Sequence, residues 1–129
     1  MRILLDTQCW LWMTASPERF SSRARALVES GEHELFLSAA SSWEIAIKHG
    51  LRKLTLPEPP DRFVLSRLDR LGVRSLPIEH RHALHVSTLP AHHRDPFDRM
   101  LICQSQLEEL PLLTADPQFA MYDVSTISA

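Results

Sequence analysis

Short, wholly apolar runs alternate along this chain with longer stretches whose apolar residues recur every three or four positions. Ile3-Leu4-Leu5 is such a run, the pattern of a strand buried on both faces of a parallel sheet. Leu35-Phe36-Leu37 follows Gly31 and ends at Ser38; Pro111-Leu112-Leu113-Thr114 makes a third run and Val124 to Ile127 a fourth. Val73 to Leu76, closed by Pro77, is a weaker fifth. Between them, Glu18 to Glu29 spaces Phe20, Ala24, Leu27 and Val28 for one helix face. Ala40 to Gly50 sets Trp43 and Ile47 four apart, at core spacing, with Gly50 as the stop. Arg62 to Leu71 carries Phe63, Leu68 and Leu71, and Pro96 to Leu110 aligns Met100, Cys103, Leu107 and Leu110. Strands alternating with helices predict a three-layer α/β/α fold with a mostly parallel central sheet of about five strands. Thr55 to Asp61, with Pro57, Pro59 and Pro60, reads as a surface connection.

Length and composition narrow this further. A chain of 129 residues suits one domain over 1–129, and 44% hydrophobic residues suffice for a core. The formal net charge of −2, without any block of like charge, argues against coating nucleic acid through many phosphate contacts. It leaves open an enzyme that meets phosphate through bound metal ions. Cys9 and Cys103 lie far apart with no paired spacing, which favours a reducing compartment over a disulfide framework. Asp6 interrupts the first apolar run too early for a signal peptide, and no stretch is long enough to span a membrane. The expectation is a soluble cytoplasmic protein.

The acids then attract notice by position. Open parallel sheets bind ligands beyond the carboxyl ends of their strands, at the switch point of the topology. Asp6 follows the first strand directly, and Asp116 follows the Leu112-Leu113 strand by two residues. Glu44 lies on the helix after the second strand; Asp98, with Asp95 close by, lies in the first turn of the helix starting at Pro96. Converging carboxylates repel and raise one another's pKa, a conflict that divalent cations resolve. An all-oxygen set suits Mg²⁺ or Mn²⁺ and metal-assisted hydrolysis of a phosphodiester. Each acid also has a purely structural explanation. Asp95 before Pro96 makes a good helix N-cap, Ser41-Ser42-Trp43-Glu44 matches a capping box, and Asp116-Pro117 is another cap. Glu44 and Lys48 can form an i,i+4 surface pair. Spacing leaves both readings standing.

Four segments taken together break the tie. Ile3-Leu4-Leu5-Asp6-Thr7 with Trp10-Leu11-Trp12, Ser42-Trp43-Glu44-Ile45-Ala46-Ile47-Lys48, His93-Arg94-Asp95-Pro96-Phe97-Asp98-Arg99-Met100-Leu101 and Leu112-Leu113-Thr114-Ala115-Asp116 resemble the PIN-domain family in content and order. Within it they resemble the VapC-type toxins of bacterial toxin–antitoxin pairs, and the motifs span Ile3 to Phe119. The resemblance implies that Asp6, Glu44, Asp98 and Asp116 form a catalytic acidic quartet holding Mg²⁺ or Mn²⁺. Asp6 and Asp98 would be the innermost ligands. It further implies a PIN-like fold, an endoribonuclease, a homodimer and a cognate antitoxin whose tail blocks the active site. Asp95 matches a recurrent acid of the subgroup, and Cys103-Gln104-Ser105 stands where relatives often carry alanines.

Other side chains are ambiguous by sequence. Lys48, Arg94 and Arg99 lie near the quartet and could hold a substrate phosphate; Arg99 could equally orient a carboxylate. Trp10, Trp12 and Trp43 either stack on unpaired RNA bases or pack, and core spacing favours packing for Trp43. His80, His82, His85, His92 and His93 lack cysteine partners at zinc-finger spacing. His92 or His93 either serves phosphate and protons or occupies a loop or dimer contact. A phosphoacceptor domain would need paired acids after the first strand, and an Asp-x-Asp phosphohydrolase an acid at position 8, but Thr7 and Gln8 follow Asp6. A catalytically inactive PIN-fold module binding protein or RNA is the remaining alternative.

Overall fold

A computed structural model describes residues 1–129. In chain order the elements are β1 (Arg2–Leu5), α1 (Thr7–Ala15), α2 (Ser22–Glu29), β2 (Glu34–Ser38), α3 (Ala39–Gly50) and α4 (Pro60–Leu71). Next come β3 (Arg74–Leu76), α5 (His80–His85), α6 (Pro96–Glu108), β4 (Leu112–Thr114) and β5 (Thr126–Ser128). The strands form one sheet of order β3-β2-β1-β4-β5, and every pairing is parallel. From β1 the chain builds outward through β2 and β3, then returns to the other side of β1 for β4 and β5. The strand order therefore reverses between β1 and β4, where parallel sheets open a crevice beyond their carboxyl ends.

Strand periodicity divides the interior in two. Ile3, Leu5, Leu35, Leu37 and Leu113 turn to one face, against Cys9 and Trp10 of α1, Ala24 and Val28 of α2 and Phe63 of α4. Leu4, Phe36 and Leu112 turn to the other, against Leu101, Ile102 and Cys103 of α6, with Phe119 and Tyr122. Successive side chains point to opposite faces, so a run apolar at every position requires helices on both sides.

Several expectations need correction. The helix expected from Glu18 to Glu29 breaks into a 3-10 turn, Pro17–Arg19, and α2, because Phe20 is extended and Ser21 caps Ala24 N with its hydroxyl. Helices α1 and α5 were not predicted, as neither carries a clean amphipathic period. The last strand starts at Thr126 rather than Val124, whose amide turns back to Tyr122 O. Ser38, not Ser41, caps α3, so the Ser41–Glu44 capping box does not form. That helix ends at Gly50 with ordinary backbone; Arg52 carries the left-handed turn at φ 58°. Gly72 does take the left-handed conformation closing α4, where a side chain would be strained. Trp43 and Ile47 are not core residues: they are 58% and 37% exposed. On α6 the buried side chains run from Leu101 to Ser105, while Met100 and Leu107 are half-buried.

Candidate active site

Parallel register brings the first acid to its place. Leu5 pairs with Leu113, and the amide of Asp6 donates to Leu113 O, so Asp6 emerges from β1 beside Thr114 at the end of β4. Its two carboxylate oxygens are both engaged. Oδ1 caps α1 by accepting from the Cys9 amide at 2.6 Å, and Oδ2 accepts from the Thr114 hydroxyl at 2.6 Å. Burial raises the Asp6 pKa, and the charge of Asp116 adds to the rise; the Thr114 and Cys9 hydrogen bonds hold it down in part.

Glu44 approaches from α3. Thr7 Oγ1 donates to its Oε1 at 2.7 Å, and Lys48 Nζ lies 2.5 Å from its Oε2. Because Thr7 has one hydroxyl proton and gives it to the carboxylate, Ser41 Oγ, 2.9 Å away, donates back to Thr7. The Glu44 side chain is only 7% exposed, so its pair with Lys48 is no solvated surface pair. The Lys48 pKa is raised, chiefly by the hydrogen bond to Glu44.

Asp98 comes from the first turn of α6. Asp95 is the N-cap there, its Oδ1 accepting from the amides of Phe97 and Asp98 at 2.8 and 3.0 Å. That fixed turn aims Asp98 inward, where His93 Nε2 meets its Oδ2 at 2.7 Å. His93 Nδ1 accepts from the Asp95 amide, which leaves the ring proton on Nε2 for the carboxylate. Burial first, then the charge of Asp95 and more weakly that of Glu44, push the Asp98 pKa up to about 7 against the opposing His93 hydrogen bond. Asp116 caps the 3-10 turn Pro117–Met121 through Gln118 N, and its own amide donates to Thr114 Oγ1 at 3.0 Å. His93, Asp98 and Asp116 offer ligand atoms within 4.8 Å of one another.

Asp6, Glu44, Asp95, Asp98 and Asp116 line one cavity of about 510 Å³, with Lys48 and Lys53 as its cations. Five acids against two lysines leave the cavity acidic, and burial, with neighbouring carboxylate charge added, raises Asp6 and Asp98. Oxygen donors in excess of cationic partners fit a hard divalent ion.

Comparison with known proteins fits this geometry. The model of the PIN domain matches residues 3–124, nearly the whole chain. The chain belongs to the PIN-domain family. It is 42% identical over 64 residues to ribonuclease VapC16 of Mycobacterium tuberculosis, a match covering 50% of this chain and 45% of that protein. Thus less than half of that relative's length is matched. Among solved structures, VapBC2 from Rickettsia felis bound to a DNA fragment from its promoter superposes with a TM-score of 0.73. That match has 12% identity and covers 99% of this chain and 98% of the other. DNA-bound VapBC from Salmonella typhimurium gives 0.69 at 16% identity, covering 99% and 98%. At these identities the likeness speaks for the fold.

Within this PIN domain, all four acids of the expected quartet line the same cavity, and so does Lys48. Arg94 and Arg99 do not; both border a neighbouring cavity of about 340 Å³. Arg99 pairs with no carboxylate; its guanidinium donates to Pro90 O, His93 O and Val86 O and to the Tyr122 hydroxyl. Trp10 is fully buried in the core and Trp12 packs edge-on against Phe20. His82 is buried against Glu108, with Arg81 bridging Glu79 and Glu108. An arginine already sits where a cation would have to go.

Sequence reasoning missed Thr7, Thr114 and Lys53 entirely and left His93 undecided. Thr7 and Thr114 had a legible signal: Thr7 follows Asp6 just past β1 and Thr114 ends β4 two residues before Asp116, where a hydroxyl can donate to a carboxylate. Lys53 had none, since the left-handed Arg52 brings it to the cavity.

Proposed function

We propose that this chain is a metal-dependent endoribonuclease, acting as one PIN-like domain over 1–129 and as the toxin of a toxin–antitoxin pair. The observation that carries the reading is the meeting of Asp6, Glu44, Asp98 and Asp116 in one acidic cavity at the sheet's switch point. The VapC16 match and the toxin–antitoxin complexes among structural neighbours support the ribonuclease and antitoxin assignments. Asp6 and Asp98 would hold Mg²⁺ or Mn²⁺ most directly, with Glu44 and Asp116 completing the set directly or through water. The bound ion supplies Lewis acidity and lowers the pKa of a coordinated water.

The chain's own residues prepare the site. Thr114 and the Cys9 amide lock the Asp6 carboxylate at both oxygens, so no rotamer search precedes binding. Thr7 orients Glu44. His93 orients Asp98 through the proton on Nε2. Lys48 and Lys53 are placed to meet a phosphodiester entering the acidic cavity. A purified sample incubated with structured RNA should cleave it with Mg²⁺ or Mn²⁺ and stop on chelation. Asp6→Asn should lose activity by at least ~100-fold. Cleavage surviving both chelation and this substitution would overturn the mechanism.

A further inference from the structure

The two lysines of the acidic cavity are not equivalent. Lys48 Nζ lies 2.5 Å from Glu44 Oε2, so its charge is committed to holding that carboxylate. Lys53 lines the same cavity, is exposed, and has no carboxylate partner. The turn after α3 delivers it there. Arg52 takes the left-handed conformation at φ 58°, and the Lys53 amide donates to Lys48 O at 2.8 Å. Residues other than glycine adopt that conformation rarely, so the chain accepts local strain in bringing a cation back to the cavity.

Beyond the acids the cavity is a groove between two helices. Helix α1 supplies Gln8 and Leu11 to it, while α3 and the turn after it supply Lys48, Lys53 and Leu54. None of these is an acid. Glu44 and Lys48 lie about 6 Å apart along α3, and Lys53 follows the end of that helix remote from β2. A lysine that merely offset the acids would sit on one of them, as Lys48 does. An RNA strand crossing this site brings more than one phosphate, and five carboxylates repel each phosphate that lacks a positive charge of its own. Resting on the proposed nuclease reading, we propose that Lys53 holds the phosphate next to the one being cut, with the strand running between α1 and α3.

The test is binding of a fluorescein-labelled, single-stranded 2′-O-methyl 12-mer of mixed sequence in Ca²⁺. Anisotropy follows it from about 50 to 200 mM KCl, with the oligomer checked intact on a gel. Each phosphate contact on a single strand contributes about 0.7 to the steepness of log K against log salt. Lys53→Ala should lose about 0.7 of that slope and bind about fivefold or more weakly at the low-salt end, and Lys53→Arg should keep the parent's slope. Arg70→Ala removes an exposed, unpaired cation of α4 outside the cavity and should leave the slope as it is. Mn²⁺ affinity of Lys53→Ala by calorimetry should stay within about threefold of the parent, because an exposed charge is screened. An unchanged slope in Lys53→Ala overturns the proposal, as does an equal drop in Arg70→Ala. A Mn²⁺ affinity outside that range also overturns it, since the lysine would then act on the acids and not on RNA. Cleavage of bulk RNA with Mn²⁺ is measured in parallel. A parent that cleaves while Lys53→Ala keeps its slope sinks only the phosphate contact, whereas a parent that neither binds nor cleaves sinks the nuclease reading with it.

Discussion

The folded protein carries a cost at Asp98 that an uncharged isostere removes. Burial and the neighbouring Asp95 charge raise that carboxyl from 3.8 to about 7. A folded pKa above the unfolded one means that the folded state binds the proton more tightly, so stability falls as pH rises between the two values. The penalty is absent below about pH 3.8, grows through the window and is complete above about pH 7. At about 1.36 kcal/mol per pH unit, that interval sets a ceiling of about 4 kcal/mol. Two effects reduce it. A fifth of the side chain is exposed, and Asp98→Asn gives up the charged hydrogen bond to His93, worth about 1–2 kcal/mol. The net expectation at pH 7.5 is a gain of about 1–3 kcal/mol, or roughly 4–10 °C in Tm for a chain of this size. Thermal unfolding followed by circular dichroism in EDTA measures it. The gain should shrink to near zero by pH 4.5, where the wild-type carboxyl is already protonated in the folded state. Adding Mn²⁺ should narrow the gap, because saturation at 100 Kd stabilises the wild type by about 2.7 kcal/mol and the variant by less. A variant no more stable than wild type at pH 7.5, or a gain indifferent to pH, would refute the reasoning.

Thr114→Val keeps the shape of the side chain but removes the donor to Asp6 Oδ2. Metal affinity by calorimetry should fall ~10–100-fold with the fold intact, and unchanged affinity would show the hydroxyl to be idle. Arg99→Ala should cost about 1–3 kcal/mol in denaturant unfolding and expose the segment from Val86 to His93 to proteases, because three backbone carbonyls lose their donor. A variant of normal stability that instead binds RNA weakly would restore the phosphate-binding role. Cys9 and Cys103 should resist aromatic disulfide reagents at pH 7.5 until the protein is denatured. Burial raises both thiols, Cys103 to about 11, and a native-state thiol that reacts within minutes contradicts their placement.

The sheet was legible because its strands are apolar at every position. Ile3-Leu4-Leu5 fits only a strand with helices on both faces, and the structure uses Leu4 on one side and Ile3 and Leu5 on the other. Helix α1 was not legible, because it is apolar around much of its circumference: Cys9 and Trp10 are buried, Leu11 and Trp12 half-buried. What starts it is Asp6, whose carboxylate reads equally well as a strand-end ligand. The error at Trp43 has a related origin. Its spacing to Ile47 describes an apolar stripe truthfully, but periodicity identifies a stripe and not what covers it. On α3 the covered side belongs to Ala40, Ser41, Glu44 and Ile45, so a buried glutamate occupies the inner face and a tryptophan the outer one.

That inversion bears on why capping and function could not be separated from spacing. The two roles coexist in the same side chains here. Asp6 caps α1 with Oδ1 while Oδ2 faces Thr114, and Asp116 caps a 3-10 turn while its charge raises the pKa of Asp6. A helix N-terminus pointed at a sheet's carboxyl edge favours an acid both for the helix and for a cation beyond it. Asp95 caps α6 and its charge contributes to the raised Asp98, which is an expense a purely structural cap would not require so close to another acid. An asparagine would cap nearly as well without that repulsion. Acid rather than amide at positions 6, 95 and 116, around a carboxyl held near pH 7, is therefore the part of the sequence that capping leaves unexplained and cation binding explains.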